Sequence, residues 1–435
     1  MSSQESARHR PTRLCFVMHQ STMEGAGRYM LDQVVQLQER GVVVFAVLPS
    51  EGPLKIALAE QNVRVRVVPN PWWTKDSGDN GDPPYGQTLL TAQAIATALR
   101  EWQVDVVYTH TVVILAGALA AAITGLPHVW HIHEFAYNAT GLMMRIPKPE
   151  LIRLFVQTSN RVYFSSKAIS ADWTEALTGV ETRIVYNWTS STLSTEPPDL
   201  TDRTAVKLLQ NPSVFVVAVV GSVIPWKRQA DVIEAVGNLQ KEGFDVALLV
   251  VGPLLHAAYA VTVKEAAARQ PNPERIRFCG YTEFPDRVMR AATVSVVCSD
   301  REPFGRVTIE SMAQGTPVVG ADSGGTPEII RDSVNGLLYP TGDVEALTSC
   351  LRRLLVDPAL RTALSSGARQ DRRFTDASAA ITPVFADLAL LHGASNPGSP
   401  VASLLGRGVE DAIGEMRRRN SPAGLARRLL APFRG

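Results

Sequence analysis

Glu302 and Glu310 stand eight positions apart in "REPFGRVTIESMAQGTPVVGADSGGTPEII", Arg301 to Ile330, with "PFGR" directly after the first. The preceding run "TVSVVCSD" reads as a buried strand, which places Glu302 in the loop at its carboxyl end. Ile309, Met312 and Ala313 fall at helical spacing and Gly315 closes the pattern, so a helix follows the loop. The first turn of such a helix offers unpaired N–H groups, here assigned to Phe304, Gly305, Arg306 and Val307, and phosphate is their natural ligand. A carboxylate further in, Glu310, suits a pair of ribose hydroxyls, and Glu302 suits hydroxyls at the far end of the same ligand. Two glutamates bracketing a diphosphate describe a nucleotide sugar. A lone pair of surface glutamates would be the bland alternative; the strand, loop and glycine turn around this pair argue against it.

Positioning such a site takes strands that end at one edge. The first half alternates apolar runs ("RLCFVMH", "VVVFAVLP", "VDVVYTH", "HVWHIHEF") with helical patterns, and the alternation restarts at "SVFVVAVVGSV". Continuous apolar strands separated by helices imply a parallel sheet covered on both faces. The expectation is α/β: two facing, doubly wound Rossmann-like domains with a cleft between them. The domains divide as 1–188, a linker at 189–212 rich in Ser, Thr, Pro and Asp, 213–374, a C-terminal helix at 375–393 packing back towards the first domain, and a basic tail at 394–435.

A chain of 435 residues fits two domains. With 43 Lys plus Arg against 42 Asp plus Glu, its formal net charge of +1 gives nucleic-acid binding no support. Cys15, Cys279, Cys298 and Cys350 lack paired spacing and read as reduced core thiols. The polar start "MSSQESARHRPTR" predicts no cleaved secretory signal and a cytoplasmic location. "VVILAGALAAAITGL" is too short to span a bilayer and reads as a buried helix. From Ser395 to Gly435, seven arginines stand against three acids among apolar residues, which suits either a loosely docked tail or peripheral contact with the inner face of a membrane.

With these residues in place, the sequence resembles the retaining glycosyltransferases of family 4, the glycosyl transferases group 1 with the GT-B fold, over about Arg13 to Ala389. The resemblance rests on E-x7-E in its strand–loop–helix setting. It implies Lys227 in "GSVIPWKRQADVIEA" as the diphosphate ligand, with Ser222 where many members carry Arg and Arg228 where Gly is usual. Arg306 is then a candidate second phosphate cation. Tyr281 and Thr282 after "RFCG" become candidates for base contacts, and Gly25 and Gly27 in "MEGAGRYM" for close backbone approach to the donor. His133 in "HVWHIHEF" matches the family's histidine near the reacting carbon; His131 shares its face, and His110 is a weaker candidate. Gly324, Gly325 and Glu328 match a "GG..E" turn, although a plain tight turn explains them as well.

The implied activity is hexose transfer, with retention, from a nucleotide-diphosphate sugar to a hydroxyl of a glycan or lipid-linked acceptor in cell-surface polysaccharide or glycolipid synthesis. Catalysis would rest on Lys227, Glu302 and His133, without cofactor or metal; "KDSGDNGD" reads as an acidic loop. Trp72 and Trp73 before it are expected to face acceptor or membrane. A non-catalytic nucleotide-sugar or glycan-binding protein and an epimerase of the same architecture remain alternatives.

Overall fold

The computed structural model describes residues 10–75, 84–137, 143–173, 177–190 and 193–397. The chain forms two compact units: Met1–Ser165 with Ile169–Val185 and Ser378–Gly435, and Ser166–Ala168 with Tyr186–Ala377.

The first unit carries β1 (Arg13–Val17), β2 (Val43–Leu48), β3 (Arg64–Val67), β4 (Thr74–Lys75), β5 (Val106–His110), β6 (His128–Ile132), β7 (Met143–Met144), β8 (Arg161–Phe164) and β9 (Glu181–Ile184). Seven of these form one parallel sheet in the order β3-β2-β1-β5-β6-β8-β9. β4 and β7 pair separately and antiparallel. β1, β5 and β6 are buried almost throughout, whereas β3 and β9 at the two edges carry Arg64, Arg66, Glu181 and Arg183. Burial on both faces thus explains the central apolar runs, and charge keeps the edges from pairing with other strands.

The second unit carries β10 (Phe215–Val220), β11 (Val246–Val251), β12 (Ile276–Gly280), β13 (Val294–Val297), β14 (Val318–Ala321) and β15 (Leu337–Tyr339). They form a parallel sheet in the order β12-β11-β10-β13-β14-β15. Val232, Ile233, Val236 and Leu239 form the inward face of helix Gln229–Lys241 and pack on Val217, Val219, Leu248 and Val250. In both sheets the order runs outward in one direction and then reverses, which is the doubly wound Rossmann arrangement. The reversals lie between β1 and β5 and between β10 and β13.

Two expectations change: the extent of the linker and the outward face of Trp73. The stretch read as a linker, 189–212, contains helix Arg203–Gln210, capped by Asp202. Its Ala205 and Leu208 pack with Val214, Val216 and Leu249, so its last half is core of the second unit despite a polar composition. Helix Ala377–Leu391 places Asp387 against Tyr163 (2.6 Å) and Arg183 (3.3 Å) of the first sheet. Trp73 does not face outward: it is 1 % exposed and donates to Thr88 Oγ1 at 2.8 Å, while Trp72 is 45 % exposed. All four cysteines are buried and free. The Ala-rich run forms helix Ala116–Thr124, and no helix among the described residues is long and apolar enough to cross a membrane. Most of "KDSGDNGD" and of the basic tail lies outside the described residues.

Candidate functional site

The loops after β10 and β13 flank the reversal point of the second sheet, where open α/β sheets bind ligands. Gly221 turns the chain out of β10 at φ 141, and a Cβ on Gly252 would lie 2.1 Å from the Gly221 carbonyl oxygen. The chain then enters the short turn Pro225–Lys227. There Lys227 Nζ meets Glu302 Oε2 at 2.6 Å and lies 4.2 Å from the centre of the Trp226 ring. The two predicted side chains, 75 positions apart, are therefore brought together across the reversal point. Arg228 adopts φ 52 and pairs with Asp231 at 2.7 Å, so this departure from the family pattern uses its charge locally. Ser222 accepts from Gln229 through its carbonyl at 2.9 Å. Cys298, at the end of β13, donates to the Lys227 carbonyl, and burial pushes its thiol up to about 12.

The Glu302 loop is held by the glycine turn. Gly325 N–H donates to the Glu302 carbonyl at 2.7 Å, and Arg301 N–H donates to Ser323 Oγ at 2.9 Å. A Cβ on Gly324 would stand 2.2 Å from the Glu302 carbonyl oxygen, and one on Gly325 2.7 Å from that of Pro303. These glycines are close-approach positions as well as a turn; that role needs a contact partner 22 residues away in the chain, which no local pattern announces. Glu328 accepts from the amides of Lys167 (2.9 Å) and Ala168 (2.8 Å) and from Tyr186 (2.8 Å).

The helix after the loop runs Arg306–Ala313, with Gly305 at φ 103 as its N-cap. It starts two residues later than Phe304, whose side chain is core, packed with Ile329 and Phe374. Arg306 and Val307 thus lie in the first turn, and Phe304 and Gly305 in the approach to it. Arg306 turns along its own helix to Glu310 at 3.0 Å and donates to the Trp188 carbonyl at 3.1 Å. Tyr281 is 61 % exposed; Thr282 Oγ1 donates to the Asp199 carbonyl and accepts from Phe284 N–H.

The carboxyl edge of the first sheet has a different chemistry. Helix Gly25–Gln38 follows β1; Gly25 is exposed, and a Cβ on the buried Gly27 would fall 2.1 Å from the Thr22 carbonyl oxygen. His133, one residue beyond β6, lies 2.9 Å (Nε2) from His110 Nδ1 at the end of β5. Thr111 follows at φ 76, costly for a β-branched residue and held from several sides. Its N–H donates to the His131 carbonyl, its carbonyl accepts from Trp130 Nε1, and its hydroxyl donates to Glu134 at 2.6 Å. Burial raises the Glu134 carboxyl above its ordinary value. Thr111, Glu134 and Tyr108, which meets His131 Nδ1 at 2.8 Å, are absent from the sequence-derived set. The acid directly after His133 was the one available signal.

A sheet of this order, with a lysine, two ion-paired glutamates and a helix N-terminus near its reversal point, is a doubly wound Rossmann-type unit. The family model described as "Glycosyl transferases group 1" matches 201–371, and "Glycosyl transferase 4-like domain" matches 24–188. A D-inositol 3-phosphate glycosyltransferase of Xylanimonas cellulosilytica is 30% identical over 391 residues, 83% of this chain and 91% of that protein. The lipopolysaccharide core biosynthesis glycosyltransferase LpsD of Rhizobium meliloti is 26% identical over 378 residues, 85% of this chain and 96% of that protein. Two stronger but local matches, at 47% and 40% identity, span 22% and 27% of the relatives concerned. Among solved structures, Anabaena HepE in complex with UDP and glucose superposes with a TM-score of 0.70 at 22% identity, covering 87% of this chain and 99% of that one. The chain belongs to the group 1 glycosyltransferases, of family 4 type, with the GT-B fold.

Proposed function

We propose that the protein transfers a hexose, with retention, from a nucleotide-diphosphate sugar to a hydroxyl of a glycan or lipid-linked acceptor, without a metal ion in the transfer step. The observation that carries this reading is the Lys227–Glu302 pair at the reversal point of the second sheet, beside the N-terminus of helix Arg306–Ala313. Developing charge on the β-phosphate of the leaving nucleoside diphosphate is met by Lys227 and by the amides of the helix start, fixed before the reaction and so requiring little reorganisation. Glu302, released from Lys227 as phosphate takes its place, accepts from hexose hydroxyls. Glu310, held by Arg306, takes the ribose hydroxyls. His133 polarises groups near the anomeric carbon. The leaving phosphate accepts the acceptor's proton on the same face, so no protein nucleophile is needed. Tyr281, Thr282, Ser222, Gly25 and Gly27 are assigned to the donor on the family pattern. Cytoplasmic location, with peripheral contact at the membrane's inner face, belongs to the same proposal, as does cell-surface glycan synthesis, to which the lipopolysaccharide-assembly relative lends support.

A thermal-shift panel of UDP, GDP and ADP on the intact protein and on Glu310→Ala tests the binding half. A ligand at 100 times its dissociation constant adds about 2.7 kcal/mol. One responder, lost in the variant, is expected; no response to any nucleotide would reject the assignment. Transfer from the matching donor, with the product's anomeric configuration read by NMR and the rate unchanged by EDTA, tests the rest. A binder without transfer or donor hydrolysis would be a non-catalytic protein.

A further inference from the structure

His110 and His131 are direct neighbours in register on the adjacent parallel strands β5 and β6. His133 follows His131 by two positions, so the pleat returns it to the same face. The three rings gather accordingly: centroids are 4.1 Å apart for His131 and His133, 5.1 Å for His110 and His133, and 5.7 Å for His110 and His131. One ring nitrogen from each lies within 4.8 Å of the other two. His110 Nε2 and His131 Nε2 are buried with no hydrogen-bond partner, in side chains that are 0 % exposed. Buried polar atoms in folded proteins are rarely left this way, and two such nitrogens on one face mark a place that a ligand completes.

We propose that His110, His131 and His133 form a three-imidazole site for a zinc-class divalent transition metal, with an open fourth coordination position. Three histidines and no carboxylate or thiolate is a donor set suited to zinc, copper, nickel or cobalt and unsuited to magnesium or calcium. Zinc–nitrogen bonds of ~2.0–2.1 Å set ligand nitrogens about 3.3 Å apart in a tetrahedron, so ring rotations of about an ångström close the site. Tyr108 supplies the outer support that ligating histidines use: with the proton on His131 Nδ1, its oxygen accepts at 2.8 Å and Nε2 keeps its lone pair for the metal. Gln33 Nε2 lies 3.3 Å from the same phenol oxygen. The site lies wholly in the first unit; under the transfer reading a metal there and the substrate would compete for His133.

Metal-stripped full-length protein is titrated with Co²⁺ alone and then with Zn²⁺. The expected result is one Co²⁺ per chain, with the intense visible bands of tetrahedral coordination, displaced by one Zn²⁺. His131→Phe and His133→Gln should each weaken binding at least about 100-fold, and Tyr108→Phe about 10- to 100-fold. His256→Ala and His392→Ala should bind like the parent. Because His133 is only partly buried, His133→Gln decides the question if His131→Phe fails to fold. Absence of stoichiometric binding, a pale octahedral spectrum, or parent-like affinity in His133→Gln would overturn the proposal.

Discussion

The carboxyl edges of the two sheets carry opposite chemistry. On the carboxyl ends of β5 and β6, next to the reversal point of the first sheet, stand three imidazoles, two of them fully buried, near a carboxyl that burial pushes towards its neutral form. After β10 and β13 stand two ion pairs, Lys227–Glu302 and Arg306–Glu310, whose side chains are 10–20 % exposed. A doubly wound sheet therefore fixes where a ligand sits and leaves its nature to the loops. In the second sheet each of these acids is already matched to a base, so the diphosphate proposed to enter there would replace one anion by another at Lys227. At the cluster in the first sheet burial pushes the His110 and His131 imidazoles down and the Glu134 carboxyl up, each towards its neutral form, and His110 Nε2 and His131 Nε2 are left without a hydrogen-bond partner.

The strongest way to break the comparison is Lys227→Ala. If charge at the second reversal point drives transfer, kcat/KM falls about 10²- to 10³-fold, roughly 2.7–4 kcal/mol of transition-state stabilisation. The response to nucleotide should weaken while Co²⁺ titration of the first unit stays as in the parent; a smaller kinetic effect would move the charge-stabilising role elsewhere. A second experiment sharpens the neutral character of the first sheet. His128 is wholly buried at the start of β6, between Thr109 Oγ1 (2.8 Å) and Ser159 Oγ (3.0 Å), and burial pushes it down to about 3. Its folded value lies below its unfolded value, so the stability it contributes is present above about pH 6.5 and is lost as pH falls towards 3. At pH 5 the loss from this group is about 2 kcal/mol, and chemical denaturation of His128→Gln should show a correspondingly shallower fall between pH 7 and 5. The mildest test is Gly324→Ala, which forces a Cβ against the Glu302 carbonyl at φ 61. A destabilisation of more than about 1 kcal/mol with a weakened nucleotide response is expected in denaturation and thermal-shift curves; parent-like behaviour would mean the loop is not held by this turn.

Central strands were legible because burial on both faces demands continuous apolar runs. Thus "SVFVVAVVGSV" gives β10 and "DVALLVVG" gives β11, each to within a few residues. The edge strand β9 was not, since a half-exposed "ETRI" carries no apolar pattern. Glu302 and Lys227 were singled out because they lie in loops that follow buried strands, and Glu310 because it lies on the helix after one such loop; the structure pairs Glu302 with Lys227 and Glu310 with Arg306. What these residues touch was not legible: the Lys227–Glu302 pair, the turn of Arg306 back to Glu310, and the pressure of Gly324 on the Glu302 loop are contacts between segments 4 to 75 positions apart. Trp73 shows the converse error, an indole whose type suggested a contact surface and whose N–H found a hydroxyl inside the first unit.

The helix Ala377–Leu391 has one further consequence, and it concerns biosynthesis. Asp387 is the acceptor for Tyr163 and Arg183, while Asn396 donates to the Leu126 and Thr158 carbonyls. A ribosome adding 5–20 residues each second delivers Ser378 on the order of 10–40 s after Val185. Throughout that interval the nascent first unit has its whole sheet but lacks its closing helix, with an arginine and a tyrosine awaiting their acid. The second unit, assembled from Tyr186–Ala377 and the short Ser166–Ala168 segment, is complete on emergence. The order of maturation is thereby reversed with respect to the order of translation: the domain begun first is finished last.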